Sequence, residues 1–389
     1  VARTHSEIGD QLSAQGELML ALARYRLALE IRQNLARTNL ENTSWQRSVG
    51  LSHVDIGDVQ VQRGDRAGAL ASYRAALAIS EALAQKDPGH QEGQADLAVN
   101  HSRIGRVQAF GDLSAALVSY RAALAIDERL ALQDPGNAGR QRGLDVGHTN
   151  VGDVLITQGN LFGAMSSYVA AFKVAEGLAK KDPNNAQWQE DLALSHGRLG
   201  DVLAAMQGRT SRTTALMHYE QGLAIVLRRE QANPSDVAAQ LNVSTFESRV
   251  GDVRLAMGDA SGALASYRSG LTRIAALVLT DPGRTDWQRS LEGSFFNIGT
   301  ALLAQGDRAG AADSLRRALS IIEPLSRSDL DNARWQRRLT VVLMKLHDVT
   351  EDRQYAEHAL KVTLESQRRG LLAPHDAWMV DDLKKRVAQ

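Results

Sequence analysis

Seven glycines divide the chain at a nearly fixed interval: Gly9, Gly57, Gly105, Gly152, Gly200, Gly251 and Gly299, at steps of 48, 48, 47, 48, 51 and 48 residues. Aspartate follows five of them (Asp10, Asp58, Asp153, Asp201 and Asp252), while Arg106 and Thr300 take that place in the other two. A constant period in this range marks a chain built by stacking one supersecondary unit. No composition figure constrains the fold as strongly. By length, 389 residues would imply two or three ordinary domains, but a stacked array grows by adding neighbours and needs no single central core.

Each copy reads as two helices. In the second, Trp45, Val49, His53, Ile56 and Gln60 share one helical face over about residues 43–62. A second glycine ends that helix, at Gly64 here and at Gly16, Gly111, Gly159, Gly208, Gly258 and Gly306 elsewhere, suited to a left-handed residue after the last turn. Asp65, Asp112, Asn160, Asp259 and Asp307 are placed to cap the second helix. The apolar set Ala69, Leu70, Tyr73, Ala76, Leu77 and Leu83 runs along that helix. Gly68, Gly163, Gly262 and Gly310 sit in its first turn, each costing ~1 kcal/mol relative to alanine, and are expected to be points of close approach to the first helix. Asp-Pro or Asn-Pro pairs, such as Asp87-Pro88 and Asn233-Pro234, stop the second helix. The Asp or Asn of each pair is placed to cap the next helix. Gln46, Gln94, Gln141, Gln189, Gln240 and Gln288 recur eleven residues before the marker glycine, where each is expected to bond a helix end.

The resulting divisions are 1–40, 41–88, 89–135, 136–183, 184–234, 235–282 and 283–330. Residues 331–389 form a degenerate eighth hairpin and a capping helix with Trp378, Met379, Leu383 and Val387 on its apolar side. The three extra residues of the fifth copy, in Gly208 to Thr214, are expected to form a surface loop. The first helix is short at Val1, as in a piece of a longer protein, and its open face could support self-association.

This combination of residues resembles the tetratricopeptide repeat. In the second copy the family signature falls on His53 (in the aromatic place), Ile56, Gly57, Gly64, Ala69, Tyr73 and Ala76. The resemblance covers nearly the whole chain. The usual family period is about 34 residues, so the helices here must be longer, as in the long-period relatives typified by kinesin light chain and many bacterial signalling proteins. The resemblance implies an all-α fold, a right-handed α-solenoid (superhelix) of two-helix repeats closed by a C-terminal capping helix. It implies a non-catalytic, cytoplasmic scaffold that binds a partner protein or peptide in the concave groove of the first helices. It also implies the groove-facing positions, among them Val54, Asp58, Val61, Arg106, Phe110, Asp153, Ile156, Asp201, Asp252, Leu255 and Phe296. These describe an acidic stripe flanked by small and aliphatic residues. The family's lysine/asparagine clamp for a C-terminal carboxylate is absent, which favours a basic or amphipathic partner. The competing reading is that each aspartate pairs with an arginine of a neighbouring helix, such as Arg103, Arg198 or Arg249, and stiffens the stack. The alternative function is a regulatory segment of a larger bacterial signalling enzyme, such as a Ser/Thr protein kinase or a protease-like protein.

Other classes have less support. Lys+Arg 45 balances Asp+Glu 45, against the basic excess expected of a nucleic-acid binder. The chain has no cysteine, so thiolate metal sites and disulfides are excluded. No apolar run approaches the ~18 residues of a membrane span. His5, His53, His101, His148 and His196 form a register four residues before the marker glycine. Successive copies lie ~10 Å apart, whereas ligands of one ion sit at ~2.1 Å from it, so a single column cannot hold a metal. No cofactor motif, glycine-rich phosphate loop or HExxH is present, and no catalytic residues are nominated.

Overall fold

The computed structural model describes residues 1–206 and 208–388. The chain is all-α, without a strand among the described residues, and it divides into two compact units, Val1–Trp188 and Gln189–Gln389.

Unit 1 holds four hairpins: α1 (Ala2–Ala14) with α2 (Leu18–Thr38), α3 (Thr43–Gln62) with α4 (Arg66–Lys86), α5 (Gln91–Gln108) with α6 (Leu113–Gln133), and α7 (Ala138–Thr157) with α8 (Leu161–Lys181). Unit 2 takes in nearly all of α9 (Ala186–Ala205), then α10 (Arg209–Ala232), α11 (Val237–Ala256), α12 (Ala260–Thr280), α13 (Thr285–Ala304) and α14 (Arg308–Ser328). It ends with α15 (Ala333–Thr350), α16 (Arg353–Arg368), a 3₁₀ turn at Pro374–Asp376 and α17 (Trp378–Ala388). From α1 to α7 in unit 1 and from α10 to α17 in unit 2, each helix packs on the next in sequence order. This is the arrangement of an α-solenoid. The odd-numbered helices up to α15 are called A helices below and their partners B helices.

The marker glycines explain how A meets B. A Cβ on Gly57 would lie 2.5 Å from the Tyr73 ring, and one on Gly200 would lie 2.3 Å from Tyr219. The tyrosine therefore rests directly on the A-helix backbone, fully buried at Tyr73. At Gly299 the neighbour is Leu315 instead. Gly16, Gly64, Gly159, Gly258 and Gly306 adopt the left-handed conformation after their A helices, with φ between 76° and 89°. Gln336 Nε2 donates to the Ser326 carbonyl at 2.8 Å, and Gln240 donates to that of Pro234 at 2.6 Å, tying each A helix to the turn or helix end before it.

Four expectations are corrected. The first-turn glycines of the B helices make room first for the cap, and only Gly68 also meets the A helix, at Gln60: a Cβ on Gly262 would lie 2.1 Å from the Asp259 carboxyl, and one on Gly310 would lie 2.4 Å from that of Asp307. These carboxylates accept from Gly262 N and Gly310 N at 2.8 Å. The Asp before proline does not cap the next helix. Asp87 accepts from Gly89 N and fixes the turn, and the caps are later residues: Asn42, His90, Asn137, Asp236 and Asn332. The extra residues after Gly208 form no loop, because they extend α10 to 24 residues against 21 for α12. Arg212, in that extension, donates to the Ala256 carbonyl at the end of α11. In the capping helix Trp378 is 55% exposed, and Met379, Val380 and Leu383 are the buried residues. None of the described helices is long and apolar enough to cross a membrane.

Candidate functional site on the A-helix face

The aspartate after the marker glycine accepts a hydrogen bond from the B-helix tyrosine lying on that glycine. Tyr25 donates to Asp10 at 2.6 Å, Tyr73 to Asp58 at 2.6 Å, Tyr168 to Asp153 at 2.7 Å, Tyr219 to Asp201 at 2.7 Å and Tyr267 to Asp252 at 2.6 Å. Burial, together with the Asp58 acceptor, pushes the Tyr73 hydroxyl up to about 12. Burial likewise raises Asp252, against the opposing pull of Tyr267 and Arg249. The two departures from Gly-Asp follow the same geometry. Thr300 stands where the B helix offers Leu315, which has no hydroxyl to donate. Arg106 replaces an acceptor with a donor and turns to Asp58 and the Tyr73 hydroxyl.

Asp58, Asp201 and Asp252 are also stapled to the next A helix. Arg103 donates from Nε and Nη2 to both Asp58 oxygens, at 3.3 and 3.2 Å. Arg249 reaches Asp201 at 2.8 Å, and Asn297 reaches Asp252 at 3.3 Å. Elsewhere, Arg47 on α3 pairs with Asp96 and Glu92 on α5, and Arg338 on α15 pairs with the fully buried Glu292 on α13. The acidic stripe is thus largely satisfied within the stack. The arginine staples were foreseeable from the sequence, whereas the tyrosine bonds were not proposed. Their signal was a Gly-Asp pair with a tyrosine recurring 15 residues after the aspartate, or 18 in the longer copy.

Asp58, Val61, Arg106 and Phe110 come together with Gln62, Arg66 and Arg103 around one cleft of about 470 Å³ between α3 and α5. Phe110 is 64% exposed, and the Arg66 guanidinium lies 4.3 Å from its ring centre. Val54 is buried and packs beneath the face rather than on it. Asp153 is exposed and Ile156 half-buried, both on α7. In unit 2, Leu255 and Phe296 pack against the large apolar cluster around Ile298 and Leu315, and Arg338 covers the Phe296 ring at 4.1 Å.

Two features of the face escaped the sequence reading. Leu51, Val99 and Val146 occupy one register, six residues before the marker glycine, on α3, α5 and α7, and they are 44%, 46% and 46% exposed. Their signal was the shared register, but a register alone does not say which side faces solvent. The second feature lies beneath them. Seven residues after the tyrosine, α2, α4 and α6 carry Arg32, Ser80 and Asp127. A cleft of about 180 Å³ lined by Asp55 and Ser80 opens between α3 and α5, and one of about 520 Å³ lined by Asp127 opens between α5 and α7. Burial pushes Asp55 and Asp127 up to about 6 each, against the weaker opposing influence of Arg32 and Arg140.

Burial lowers His53, His101 and His148 and so favours their neutral forms. His196 Nδ1 meets His218 Nδ1 at 3.0 Å, a contact that requires one donor and one acceptor nitrogen. No group of three ligating side chains able to hold a metal occurs among the described residues.

Two-helix hairpins, seven of them with a B-helix tyrosine or leucine seated on an A-helix glycine, define a tetratricopeptide-like α-solenoid. No family model and no curated protein matches the chain. Among solved structures it is similar to BtubC (BKLC) from P. vanneervenii, with a TM-score of 0.52 and 19% identity over 66% of this chain and 91% of that one. It is also similar to the apo form of RapI, with a TM-score of 0.51 and 12% identity over 84% of this chain and 99% of that one. A tetratricopeptide repeat protein from Parabacteroides merdae aligns more loosely, with a TM-score of 0.42 and 15% identity over 88% of this chain and 98% of that one. At these identities the likeness is one of fold.

Proposed function

We propose that the chain is a non-catalytic protein-interaction scaffold and that the A-helix face of unit 1 holds the partner. One observation carries this reading: Asp58, Val61, Arg106 and Phe110, nominated separately by register, line one open cleft of about 470 Å³ with a solvent-exposed aromatic at its edge. The cleft lies within the ~300–1,000 Å³ range of ligand-holding pockets, and exposed aromatics are favoured anchors at interfaces. Three departures from the repeat meet there. Arg106 replaces aspartate, Phe110 stands where most copies have a small residue, and the turn before Gly111 is one residue shorter. A regular stack has no need of these. The aspartates themselves hold the hairpins together, so a uniformly acidic groove does not define the partner.

The test is site-specific photo-crosslinking. A benzophenone amino acid replaces Val61 or Phe110 in one pair of variants and the exposed B-helix residues Leu132 or Phe162 in a control pair. In lysate, a protein crosslinked at 61 and 110 but not at 132 or 162 supports the reading. Equal or exclusive crosslinking from the B helices sinks it.

A further inference from the structure

The cleft between α5 and α7 differs from a gap between neighbouring helices in how its floor is made. The Asp127 carboxylate, on α6, is half-buried, and among the described residues no side chain hydrogen-bonds it, Arg140 acting on it only through its charge. Glycines keep it uncovered. A Cβ on Gly143 would lie 3.5 Å from one Asp127 oxygen, and one on Gly147 would lie 3.6 Å from the other. At the Gly143 register the previous A helix carries Asp96, part of a staple to Arg47. Here the staple is missing, and a cavity of about 520 Å³ stands in its place. The arginines on its rim are occupied: Arg103 and Arg106 are drawn to Asp58 on α3, and Arg142 is engaged as well. A carboxylate partly withdrawn from water and without a protein donor is raised in energy, and a charged donor brought by a ligand would lower it. The walls include Val99 and Val146, two members of the exposed aliphatic row.

We propose that this cleft receives a lysine or arginine side chain of a bound peptide segment, its cationic head meeting the Asp127 carboxylate, while aliphatic side chains of the same segment rest on Leu51, Val99 and Val146. The inference rests on the A-face reading above and adds the partner's chemistry. Neighbouring A helices are ~10 Å apart. An extended segment spans that distance in about three residues and a helical one in about seven. The segment therefore carries an aliphatic residue at that interval with a basic residue between the second and third. The stem of a lysine or arginine suits the apolar walls, and its head suits the floor.

A phage-displayed library of random 16-residue peptides, panned on the whole chain, supplies the probe, and fluorescence anisotropy measures the enriched peptides. Lysine- or arginine-bearing apolar sequences should be enriched. Changing the basic residue to glutamine should weaken binding by at least about tenfold, as should Asp127→Asn. Gly143→Leu should abolish binding by covering the carboxylate, and G143L/D127N, in which no charge is covered, should melt no lower than Asp127→Asn because leucine is the better helix former. That double variant separates a blocked site from a damaged fold. Enrichment of acidic peptides, or full binding by Asp127→Asn, overturns the cationic site. If the triple variant L51S/V99S/V146S still loses binding in that case, the A-face reading stands. If enriched peptides bind the triple variant as tightly as the parent, the A-face reading falls too. A library with no enriched sequence overturns the inference and leaves the face to a folded partner.

Discussion

Seven residues after the tyrosine, the first three B helices of unit 1 carry Arg32, Ser80 and Asp127, whereas at the same place unit 2 carries Val226, Ile274 and Ile322, each at most 2% exposed. Six residues before the marker glycine the contrast is reversed. Unit 1 exposes Leu51, Val99 and Val146, while α11 and α13 have Thr245 and Gly293. At the former position the apolar side chains of unit 2 are inside, and Ile274 packs with Leu277 and Trp287 into a closed cluster. In unit 1 polar side chains lie beneath the face, clefts open above them, and aliphatic groups stand on the rim. One repeat frame therefore supports both a closed stack and a receptive one. The difference lies in a few positions per hairpin that leave the glycine–tyrosine contact untouched.

The comparison can be broken from the unit 2 side. Ile274→Asp places the chemistry of Asp127 in a closed hairpin. It should cost roughly 4 kcal/mol, from lost apolar burial and a desolvated carboxylate, read as a fall in the urea midpoint. A loss under about 1 kcal/mol would show that unit 2 can open as unit 1 does. The next effect concerns a buried charge that has a partner. Glu292→Ala leaves Arg338 without its carboxylate and should cost about 3 kcal/mol, the low end for a broken buried pair because Arg338 is partly solvated. Asp127→Ala, which removes a carboxylate with no such partner, should be neutral or stabilising in the same assay. Equal losses would erase the distinction between the two sites.

A smaller effect separates two tyrosines within unit 1. Tyr73→Phe removes the bond to Asp58 and should cost about 1 kcal/mol. Tyr120 faces Arg106 where other copies have an aspartate, so Tyr120→Phe should cost less than about 0.5 kcal/mol. A further effect, read across pH rather than at one value, is the response of Asp55 and Asp127. Both are raised from 3.8 to about 6, so between those values the folded chain holds protons that the unfolded chain has released. Their contribution to stability is full below about pH 4 and is lost as the pH rises through about 6. The double variant D55N/D127N should melt with less dependence on pH across that window. An unchanged profile would mean that the two carboxylates are well solvated.

Much of the fold is legible in the sequence because its causes are local. Gly64 ends α3 in a left-handed turn, Asp65 caps α4, and the 3.6-residue spacing of Ala69, Tyr73, Ala76 and Leu77 selects the face that packs. Errors arise where two local rules compete. The residues after Gly208 satisfy a loop expectation by composition, yet they continue α10 because Arg212 finds an acceptor at the end of α11. Gly262 reads as a helix–helix contact until the size of the Asp259 cap beside it is considered. The candidate face is only half legible. Its register is written in the repeat, which brings Asp58, Val61, Arg106 and Phe110 to one cleft. Asp58 has its tyrosine 15 residues away and its arginines 45 and 48 residues away, so the repeat suggests these partners, but only the packed helices decide that all three meet one carboxylate.

By itself the sequence determined the helices, the caps of most B helices, the two-helix unit and the absence of a thiol site, since each depends on residues within a turn or two of one another or on composition alone. Only the tertiary structure decided which charges remain available, which apolar residues face solvent and where the stack opens. Those depend on packing between helices, where one missing Cβ at Gly143 leaves a carboxylate uncovered and one tyrosine hydroxyl shares an aspartate with two arginines of the next A helix.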